Sequence, residues 1–224
     1  MFAADRITIS GEKIVVLGGG VSGTSLARLA AKRGASVLLS DAGKLSDATV
    51  VTLREACVEI EEGGHTDAIL SFDRVLTSSG FPPSADIIKR IAERGIPITG
   101  ELDFVAPLLR GKFIGVTGSN GKTTTASLLG CLLSHSLPTG SAGVAVVGNI
   151  GNAIADATGE EYSYIVAELS SFQLHWAKSL SLDGAIITNI APDHIDWHGS
   201  FESYAAAKAK ILSFVRRDEG VSVH

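Results

Sequence analysis

A glycine-rich loop in the second half of the chain is typical of sites that bind a nucleoside triphosphate. It occupies residues 117–124, Thr-Gly-Ser-Asn-Gly-Lys-Thr-Thr, between a predicted strand and a predicted helix. In such loops the backbone N–H groups surround the phosphates, a lysine neutralises the β- and γ-phosphate charge, and a hydroxyl binds Mg²⁺. Lys122 and Thr123 take these last two roles, although Val116 replaces the first glycine of the commonest pattern. The candidate ATP-binding residues are Gly118, Ser119, Asn120, Gly121, Lys122, Thr123 and Thr124.

A second glycine loop lies near the start of the chain. Residues 18–23, Gly-Gly-Gly-Val-Ser-Gly, fit the pattern G-x-G-x-x-G between a strand and a helix, and Asp41 ends the next predicted strand. Glycines at this spacing let the backbone approach a phosphate at the helix N-terminus. The pattern leaves two ligands open, namely a nicotinamide dinucleotide and another phosphate-bearing molecule.

Two further polar clusters follow predicted strands. Residues 168–174 read Glu-Leu-Ser-Ser-Phe-Gln-Leu, and residues 189–198 contain four metal-binding side chain types, at Asp193, His194, Asp196 and His198. Because ligands bind at the carboxyl ends of parallel strands, both clusters should lie in the same crevice as the loop at 117–124. Glu168 is a candidate Mg²⁺ ligand. A zinc site in the second cluster is less favoured, since four ligands within six positions are crowded.

Short β-branched runs alternate with amphipathic segments along the whole chain, which indicates parallel α/β architecture. Strands are predicted at residues 14–17, 36–40, 58–60, 75–77 and 96–99, and again at 113–116, 144–147, 164–167 and 185–188. The pattern restarts near residue 110. We therefore predict a Rossmann-like domain at 1–108, followed by an incomplete P-loop-type parallel α/β domain at 109–224.

Composition excludes several classes of protein. The 224 residues are 45% hydrophobic and 19% charged, which excludes disorder. The net charge of −5 and the absence of Lys/Arg-rich runs argue against nucleic-acid binding. No apolar run reaches the length of a membrane span or of a signal-peptide core, so we expect a soluble, cytoplasmic protein. Cys57 and Cys131 lie in apolar helical patterns and are expected to be small buried side chains.

Four ordered motifs together resemble the Mur ligase family, and the resemblance covers essentially the whole chain. They are the loop at 117–124, the Gly-Asn-Ile-Gly turn at 148–151, and the clusters at 168–174 and 189–198. Mur ligases are ATP-dependent enzymes that build the peptide stem of peptidoglycan. Within the family, Glu-Leu-Ser-Ser-Phe-Gln-Leu is most similar to the members that add D-glutamate.

The resemblance implies an activity and a set of catalytic residues. The family transfers the γ-phosphate of ATP to the alanine carboxylate of UDP-N-acetylmuramoyl-L-alanine, and the amine of D-glutamate then attacks the acyl phosphate. Lys122 would hold the phosphates, Thr123 and Glu168 would bind one Mg²⁺, and His194 would bind a second. Lys208 matches a lysine that the family carries as a carbamate made with CO₂, an oxygen ligand for magnesium. An ordinary solvated lysine is the alternative for Lys208, and Lys210 is expected to have that role.

The resemblance also reassigns the first glycine loop, because the Rossmann-like domain of the family holds the UDP-sugar substrate. Val21 and Ser22 would face the diphosphate, Asp41 the uracil or ribose, and Gly80 the nucleotide. Asn149 and Ser170 would approach the muramoyl-alanine end. The chain departs from the family at Ser78-Ser79-Gly80, where Ser-Pro-Gly is common, and at Ala42-Gly43, where some members have polar contacts.

Two alternatives remain open at this point. The first glycine loop alone is compatible with an NAD(P)-binding oxidoreductase, which leaves the second domain unexplained. Family members also have a third domain that contacts D-glutamate, so the chain could be a non-catalytic substrate-binding fragment. We expect a monomer that binds small molecules, with no nucleic-acid or membrane partner, and with little or no ligase activity by itself.

Overall fold

A computed structural model of the chain describes residues 9–78 and 80–216. The chain divides into two compact units, unit 1 (Met1–Pro107) and unit 2 (Leu108–His224). Each contains a parallel sheet with helices between successive strands, which confirms the predicted α/β fold class. The terminal segment at 220–224, which resembles the start of a strand, lies outside the described residues, as does Ser79.

Unit 1 has a five-stranded parallel sheet in the order β3-β2-β1-β4-β5. Its strands are β1 (Lys13–Leu17), β2 (Ser36–Asp41), β3 (Glu59–Glu62), β4 (Arg74–Thr77) and β5 (Ile98–Gly100). Its helices are α1 (Val21–Lys32), α2 (Asp47–Glu55), α3 (Asp86–Glu93) and α4 (Glu101–Val105). The central strand β1 is apolar on both faces, and its residues from Ile14 to Leu17 are fully buried, as expected for a parallel strand covered by helices on both sides.

Unit 2 has a four-stranded parallel sheet within its described part, in the order β7-β8-β6-β9. Its strands are β6 (Arg110–Thr117), β7 (Val144–Gly148), β8 (Glu161–Glu168) and β9 (Gly184–Ile187). Its helices are α5 (Lys122–Ser136), α6 (Ser171–Trp176), α7 (Ile195–His198) and α8 (Phe201–Ala209). Helix α5 packs through Ala126 against Val116 and Val166 of the two central strands. Because β6, β8 and β9 pair in parallel, the polar residues at their carboxyl ends lie at one edge of the sheet.

Local chemistry sets the ends of two helices. Helix α4 stops at Val105 and continues as a 3-10 turn, Ala106–Leu108, because Pro107 has no N–H to donate within an α-helix. Helix α8 begins at Phe201, since the Ser200 hydroxyl accepts a hydrogen bond from the Ser203 N–H and caps the helix.

The expectation for the cysteines was wrong. Both Cys57 and Cys131 are exposed. Cys57 lies beyond the end of α2, in a left-handed conformation with φ of 57°. The apolar sequence pattern therefore continues past the end of the helix. Within the described residues, no helix has the length and apolar character needed to cross a membrane.

The glycine loop of unit 1 makes a direct stability prediction. A Cβ on Gly23 would lie 1.8 Å from the backbone oxygen of Gly18, whereas a Cβ on Gly20 would meet nothing within 4 Å. We expect Gly23→Ala to lower the unfolding free energy by about 2–3 kcal/mol, since backbone must move to admit the methyl group. Gly20→Ala is the matched control and should cost less than about 1 kcal/mol. Urea denaturation of both variants measures the difference, and equal stabilities would contradict the tight loop described here.

Candidate active site

The loop between β6 and α5 follows a course that favours glycine at two positions. Gly118 has φ of 149° and Gly121 has φ of 77°, conformations that residues with a Cβ rarely adopt. A Cβ on Gly118 would also lie 1.9 Å from the hydroxyl oxygen of Thr188. The loop therefore lies directly against the end of β9. It leads into the N-terminus of α5, where the first N–H groups have no acceptor within the helix.

Asn189 holds this loop from the neighbouring strand. Its backbone oxygen accepts from the Ser119 N–H at 2.9 Å. Its side chain accepts from the Asn120 N–H and donates to the Asn120 oxygen, both at 3.0 Å. Asn189 has no role predicted from the sequence motifs, although its position directly after a strand in the cluster at 189–198 was a usable signal.

The Ser119 hydroxyl also makes hydrogen bonds within the protein. It donates to the backbone oxygen of Ala191 at 2.9 Å and accepts from the Ala191 N–H at 2.9 Å. The Tyr204 hydroxyl lies 2.7 Å away, and burial raises the pKa of that phenol. Ser119 therefore shapes the loop. The N–H groups of Lys122, Thr123 and Thr124, at the start of α5, remain as the donors for an anion.

Lys122 lies over its own loop. Its Nζ donates to the backbone oxygen of Ser119 at 3.0 Å, so the ammonium is held beside the start of α5. Helix α5 has no acidic residue in its first turn. Both features concentrate positive charge where phosphate oxygens would lie.

Thr123 and Glu168 form a close polar pair in the site. The Thr123 hydroxyl donates to Glu168 Oε2 at 2.6 Å, and Glu168 is only 2% exposed at the end of β8. A hydroxyl and a carboxylate are hard oxygen donors of the kind that Mg²⁺ prefers, so the donor chemistry of this pair fits the ion. In the described part of the chain, no group of three or more His, Cys, Asp or Glu side chains could hold a metal ion.

Lys208 is buried in the same region. It is 2% exposed, and its Nζ donates to the backbone oxygen of Gly118 at 2.7 Å. Burial lowers the pKa of Lys208 to about 8, and the nearby Lys122 adds to the shift, while Asp193 and Glu168 oppose it. An appreciable fraction of this amine is therefore uncharged at neutral pH, which is the form that reacts as a nucleophile.

Lys210 does not have the solvated role expected of it. Its Nζ donates to the backbone oxygens of His175, at 3.2 Å, and Ala177. These oxygens lie at the C-terminal end of α6, where carbonyl groups lack helical partners. Lys210 therefore caps α6.

His194 is placed at the start of α7 with φ of 50°, a left-handed conformation that is uncommon for a residue with a Cβ. Its ring lies 4.8 Å from the ring of Phe172, and its Nε2 is 3.4 Å from Asp193 Oδ2. This residue is thus an exposed imidazole beside the site rather than part of the Thr123–Glu168 pair.

Ser170 and Asn149 complete the predicted residues of unit 2. Ser170 caps α6: its hydroxyl accepts from the Gln173 N–H at 3.1 Å, and the Gln173 side chain accepts from the Ser170 N–H at 2.9 Å. Asn149 is exposed, and its backbone N–H donates to the backbone oxygen of Glu168 at 3.1 Å. Gly148 permits this approach, since a Cβ there would lie 2.2 Å from the same oxygen.

His198 is a half-buried histidine, for which the sequence pattern suggested a role only as a zinc ligand. Its Nε2 lies 3.0 Å from the hydroxyl of Ser171 at the start of α6, and its ring packs against Trp197 and Phe172. Burial lowers its pKa to about 4, and the nearby His175 and His194 contribute. The neutral ring therefore links α7 to α6 near neutral pH.

In unit 1, the predicted residues lie around the N-terminus of α1. Val21 is the first residue of this helix and is 62% exposed, and Ser22 beside it is half-buried. Gly20 caps the helix without a side-chain hydrogen bond. The N–H groups of the first turn are therefore available as donors to an anion. Asp41 accepts from the Gly19 N–H at 2.6 Å, and Gly80 is exposed.

Two family profiles match the chain with this architecture. The profile of the Mur ligase middle domain matches residues 116–223, and that of the MurD N-terminal domain matches residues 13–87. This chain carries the N-terminal and middle domains of a Mur ligase. The resemblance found in the sequence motifs is thereby confirmed.

Curated relatives agree with the Mur ligase assignment. The UDP-N-acetylmuramoylalanine--D-glutamate ligase of Christiangramia forsetii is 41% identical over 204 residues, covering 90% of this chain and 45% of the relative. The ligase of the same name from Frankia casuarinae is 40% identical over 210 residues, covering 92% and 44%. The chain thus spans about half the length of these relatives.

A solved structure supports the fold. The UDP-N-acetylmuramate:L-alanyl-gamma-D-glutamyl-meso-diaminopimelate ligase from Neisseria meningitides matches with a TM-score of 0.63 and 20% identity, over 92% of this chain and 69% of that one. At this identity the match concerns architecture alone.

The lowered pKa of His198 predicts how stability depends on pH. The folded ring stays neutral down to about pH 4, whereas the unfolded ring takes up a proton near pH 6.5. Stability from this residue is therefore present above pH 6.5 and is lost as the pH falls towards 4. We expect the unfolding free energy of His198→Gln to fall by on the order of 1–2 kcal/mol less than that of the wild type as the pH is lowered. The expected difference is small because solvent screens a ring that is only partly buried.

Urea denaturation at several pH values between 7.5 and 4.5 measures this effect. His135→Gln, at an exposed histidine of α5, is the matched control and should keep the wild-type pH dependence. An unchanged pH dependence in His198→Gln would show that another group causes it.

Proposed function

We propose that the chain supplies the nucleotide-sugar domain and the ATP domain of a ligase that adds D-glutamate to UDP-N-acetylmuramoyl-L-alanine. The observation that carries the proposal is the Thr123–Glu168 hydrogen bond of 2.6 Å beside the N-terminus of α5. It places a hydroxyl and a buried carboxylate at the point where a nucleoside triphosphate and its magnesium ion are bound in phosphate loops. The names of the relatives supply the acceptor and the amino acid.

The proposed reaction has two steps. The alanine carboxylate attacks the γ-phosphorus of ATP, so that an acyl phosphate forms and ADP leaves. The amine of D-glutamate then attacks the acyl carbon, phosphate leaves, and the amine loses a proton as the amide forms. Mur ligases in general depend on ATP and Mg²⁺, and this chemistry is consistent with that dependence.

In this reaction the chain's own residues act mainly by positioning charge. Lys122 would bind the β- and γ-phosphates and stabilise the negative charge that develops on the transferred group. Thr123 and Glu168 would hold a Mg²⁺ ion, which supplies further charge neutralisation. The N–H groups of the first turn of α5 would orient the phosphate oxygens, and Ser119, Asn120 and Asn189 would keep the loop in shape.

Lys208 and His194 are proposed to serve a second magnesium site. The uncharged Nζ of Lys208 attacks the carbon of CO₂ and loses a proton, so that a carbamate replaces the amine. The product carries two oxygen atoms of the kind that Mg²⁺ prefers. The buried position and lowered pKa of Lys208 favour this chemistry, and His194 would add an imidazole ligand.

Unit 1 is proposed to bind the UDP-sugar. Its diphosphate would lie at the N-terminus of α1, against the N–H groups of Val21 and Ser22, with Gly80 near the nucleotide. Asn149 and Ser170 in unit 2 would contact the muramoyl-alanine part. The alternative of an NAD(P)-dependent oxidoreductase gives no role to the phosphate loop of unit 2, and the matching profiles are those of Mur ligase domains.

The role of Lys122 can be tested by ligand binding. We expect Lys122→Ala to weaken ATP binding by roughly 10- to 100-fold, since a charge-assisted contact to the phosphates is lost. UDP binding should stay within about twofold of wild type. Isothermal titration of each nucleotide in the presence of Mg²⁺ measures both affinities. The control is Lys112→Ala, at an exposed lysine on β6, and unchanged ATP affinity in Lys122→Ala would contradict the proposed role.

The carbamate can be tested by spectroscopy. With ¹³C-bicarbonate, the wild-type chain should show a protein-bound carbamate resonance in its ¹³C spectrum. Lys208→Ala should remove this signal, because it removes the reacting amine. Lys210→Met should retain it, since the Lys210 amine is engaged by the C-terminal end of α6. A wild-type spectrum without the resonance, or its persistence in Lys208→Ala, would exclude a carbamate at Lys208.

A further inference from the structure

We propose that Tyr204 is a positioning residue for ATP, which acts through the hydroxyl of Ser119 and holds the phosphate loop against helix α8. The phosphate loop is residues 117–124, which join β6 to α5. The proposal deepens the proposed function and rests on it for the ATP measurements. It gives a role to a tyrosine that none of the sequence motifs singled out and that lies 85 residues from Ser119 along the chain.

The direction of the hydrogen bond between Tyr204 and Ser119 follows from the other partners of Ser119. The serine hydroxyl has one hydrogen, and the backbone oxygen of Ala191, 2.9 Å away, can only accept it. The Ala191 N–H donates back to Ser119 Oγ at 2.9 Å and uses one of the two lone pairs of that oxygen. The second lone pair remains for the Tyr204 hydroxyl, 2.7 Å away. The tyrosine is therefore the donor in this pair.

The surroundings of Tyr204 make this hydrogen bond a firm constraint. The side chain is fully buried, so bulk water cannot take the place of the Ser119 acceptor. The rings of His198 and His194 pack edge-on against the tyrosine ring, with centroids 5.4 and 6.3 Å away. A buried hydroxyl that loses its acceptor costs more free energy than an exposed one. Movement of Ser119 away from α8 is therefore opposed by the tyrosine.

A second side chain of α8 holds the preceding residue of the phosphate loop. Lys208 follows Tyr204 by four residues, so both side chains lie on the same face of the helix. Lys208 Nζ donates to the backbone oxygen of Gly118 at 2.7 Å and lies 4.9 Å from the centroid of the Tyr204 ring. Two neighbouring side chains of α8 thus contact two consecutive residues of the loop, Gly118 and Ser119.

Ser119 transmits the constraint to the groups that would bind ATP. Its backbone oxygen accepts from Lys122 Nζ at 3.0 Å, and its N–H donates to the Asn189 oxygen at 2.9 Å. A shift of Ser119 therefore moves the oxygen that holds the Lys122 ammonium beside the start of α5. Loss of the Tyr204 hydroxyl should weaken the binding of a nucleoside triphosphate, although every group proposed to contact the phosphates is still present.

A double-mutant cycle in ATP binding tests the route through Ser119. The variants are Tyr204→Phe, which keeps the ring and removes the hydroxyl, Ser119→Ala, and the combination of both. Isothermal titration with ATP and Mg²⁺ gives each affinity, and titration with UDP provides a reference for unit 1. The matched control is Tyr162→Phe, which removes a hydroxyl that donates to Glu160 at 2.8 Å near the amino end of β8.

We expect Tyr204→Phe to weaken ATP binding by roughly 3- to 10-fold, which corresponds to one neutral hydrogen bond. In the Ser119→Ala background the same substitution should change the affinity by less than about twofold, because the acceptor is already gone. UDP affinity should stay unchanged throughout, and Tyr162→Phe should bind both nucleotides like the wild type. Unchanged ATP affinity in Tyr204→Phe, or an equal loss with and without the Ser119 hydroxyl, would overturn the proposal.

A second measurement needs neither a ligand nor a substitution at Tyr204. The chain is labelled with ¹³C at the tyrosine Cζ atoms and dissolved in equal volumes of H₂O and D₂O, where a hydroxyl proton that exchanges slowly gives two resolved Cζ signals. Tyr204 should show two signals in the wild type and one in Ser119→Ala, whereas Tyr162 should show one in both. A single Tyr204 signal in the wild type, or two in Ser119→Ala, would overturn the assigned hydrogen bond.

The two measurements separate this proposal from the proposed function. An absence of ATP binding in the wild type would overturn the proposed function together with the part of this proposal that concerns ATP. The Cζ signals do not depend on ATP, so they still decide whether Tyr204 holds the phosphate loop through Ser119. They also decide it if Tyr204→Phe does not fold.

Discussion

The structure depends on one steric constraint, namely that backbone must approach backbone at the points where parallel strands end. In unit 1, Gly23 approaches the Gly18 oxygen so closely that a Cβ would lie 1.8 Å from it. In unit 2, Gly148 brings the end of β7 against the Glu168 backbone, where a Cβ would lie 2.2 Å away. Only glycine tolerates these approaches. In unit 1 this approach places the N-terminus of α1 at the carboxyl end of β1, where unpaired N–H groups can bind anions.

Unit 2 also buries two ionisable side chains near the phosphate loop. Isolated buried charges are costly, so each needs a partner. Glu168 accepts a hydrogen bond from Thr123, and Lys208 donates one to the Gly118 oxygen. Both partners belong to the loop or to the start of α5. The same contacts therefore satisfy the buried groups and hold the elements that would bind ATP and magnesium.

Much of this architecture was predictable, because its signals are local. Glycine spacing, β-branched runs and the alternation of strands and helices predicted the α/β class and the two glycine loops. The contacts of Asn189 and Asp41 were not predictable, since they join residues distant in sequence: Asn189 bonds to Asn120, and Asp41 to Gly19. Cys57 was misassigned because an apolar pattern does not specify where a helix ends, and Cys131 because it lies within an apolar part of α5 that is exposed, as Leu128 and Leu132 also are. Lys210 was taken as solvated, although the end of α6 packs close enough to accept its hydrogen bonds.

The sequence by itself determined which residues have the chemistry of a nucleotide site: the phosphate loop, the carboxylate after β8, and the lysine of α8. The first two follow from residue type and from spacing at two strand–helix junctions, and the lysine follows from the resemblance to the Mur ligases. Only the tertiary structure decided which of these groups are already engaged and which are left for a ligand. That distinction depends on hydrogen bonds across the sheet and on burial, which change a lysine's pKa and engage a serine hydroxyl of the phosphate loop. Neither is encoded in local spacing.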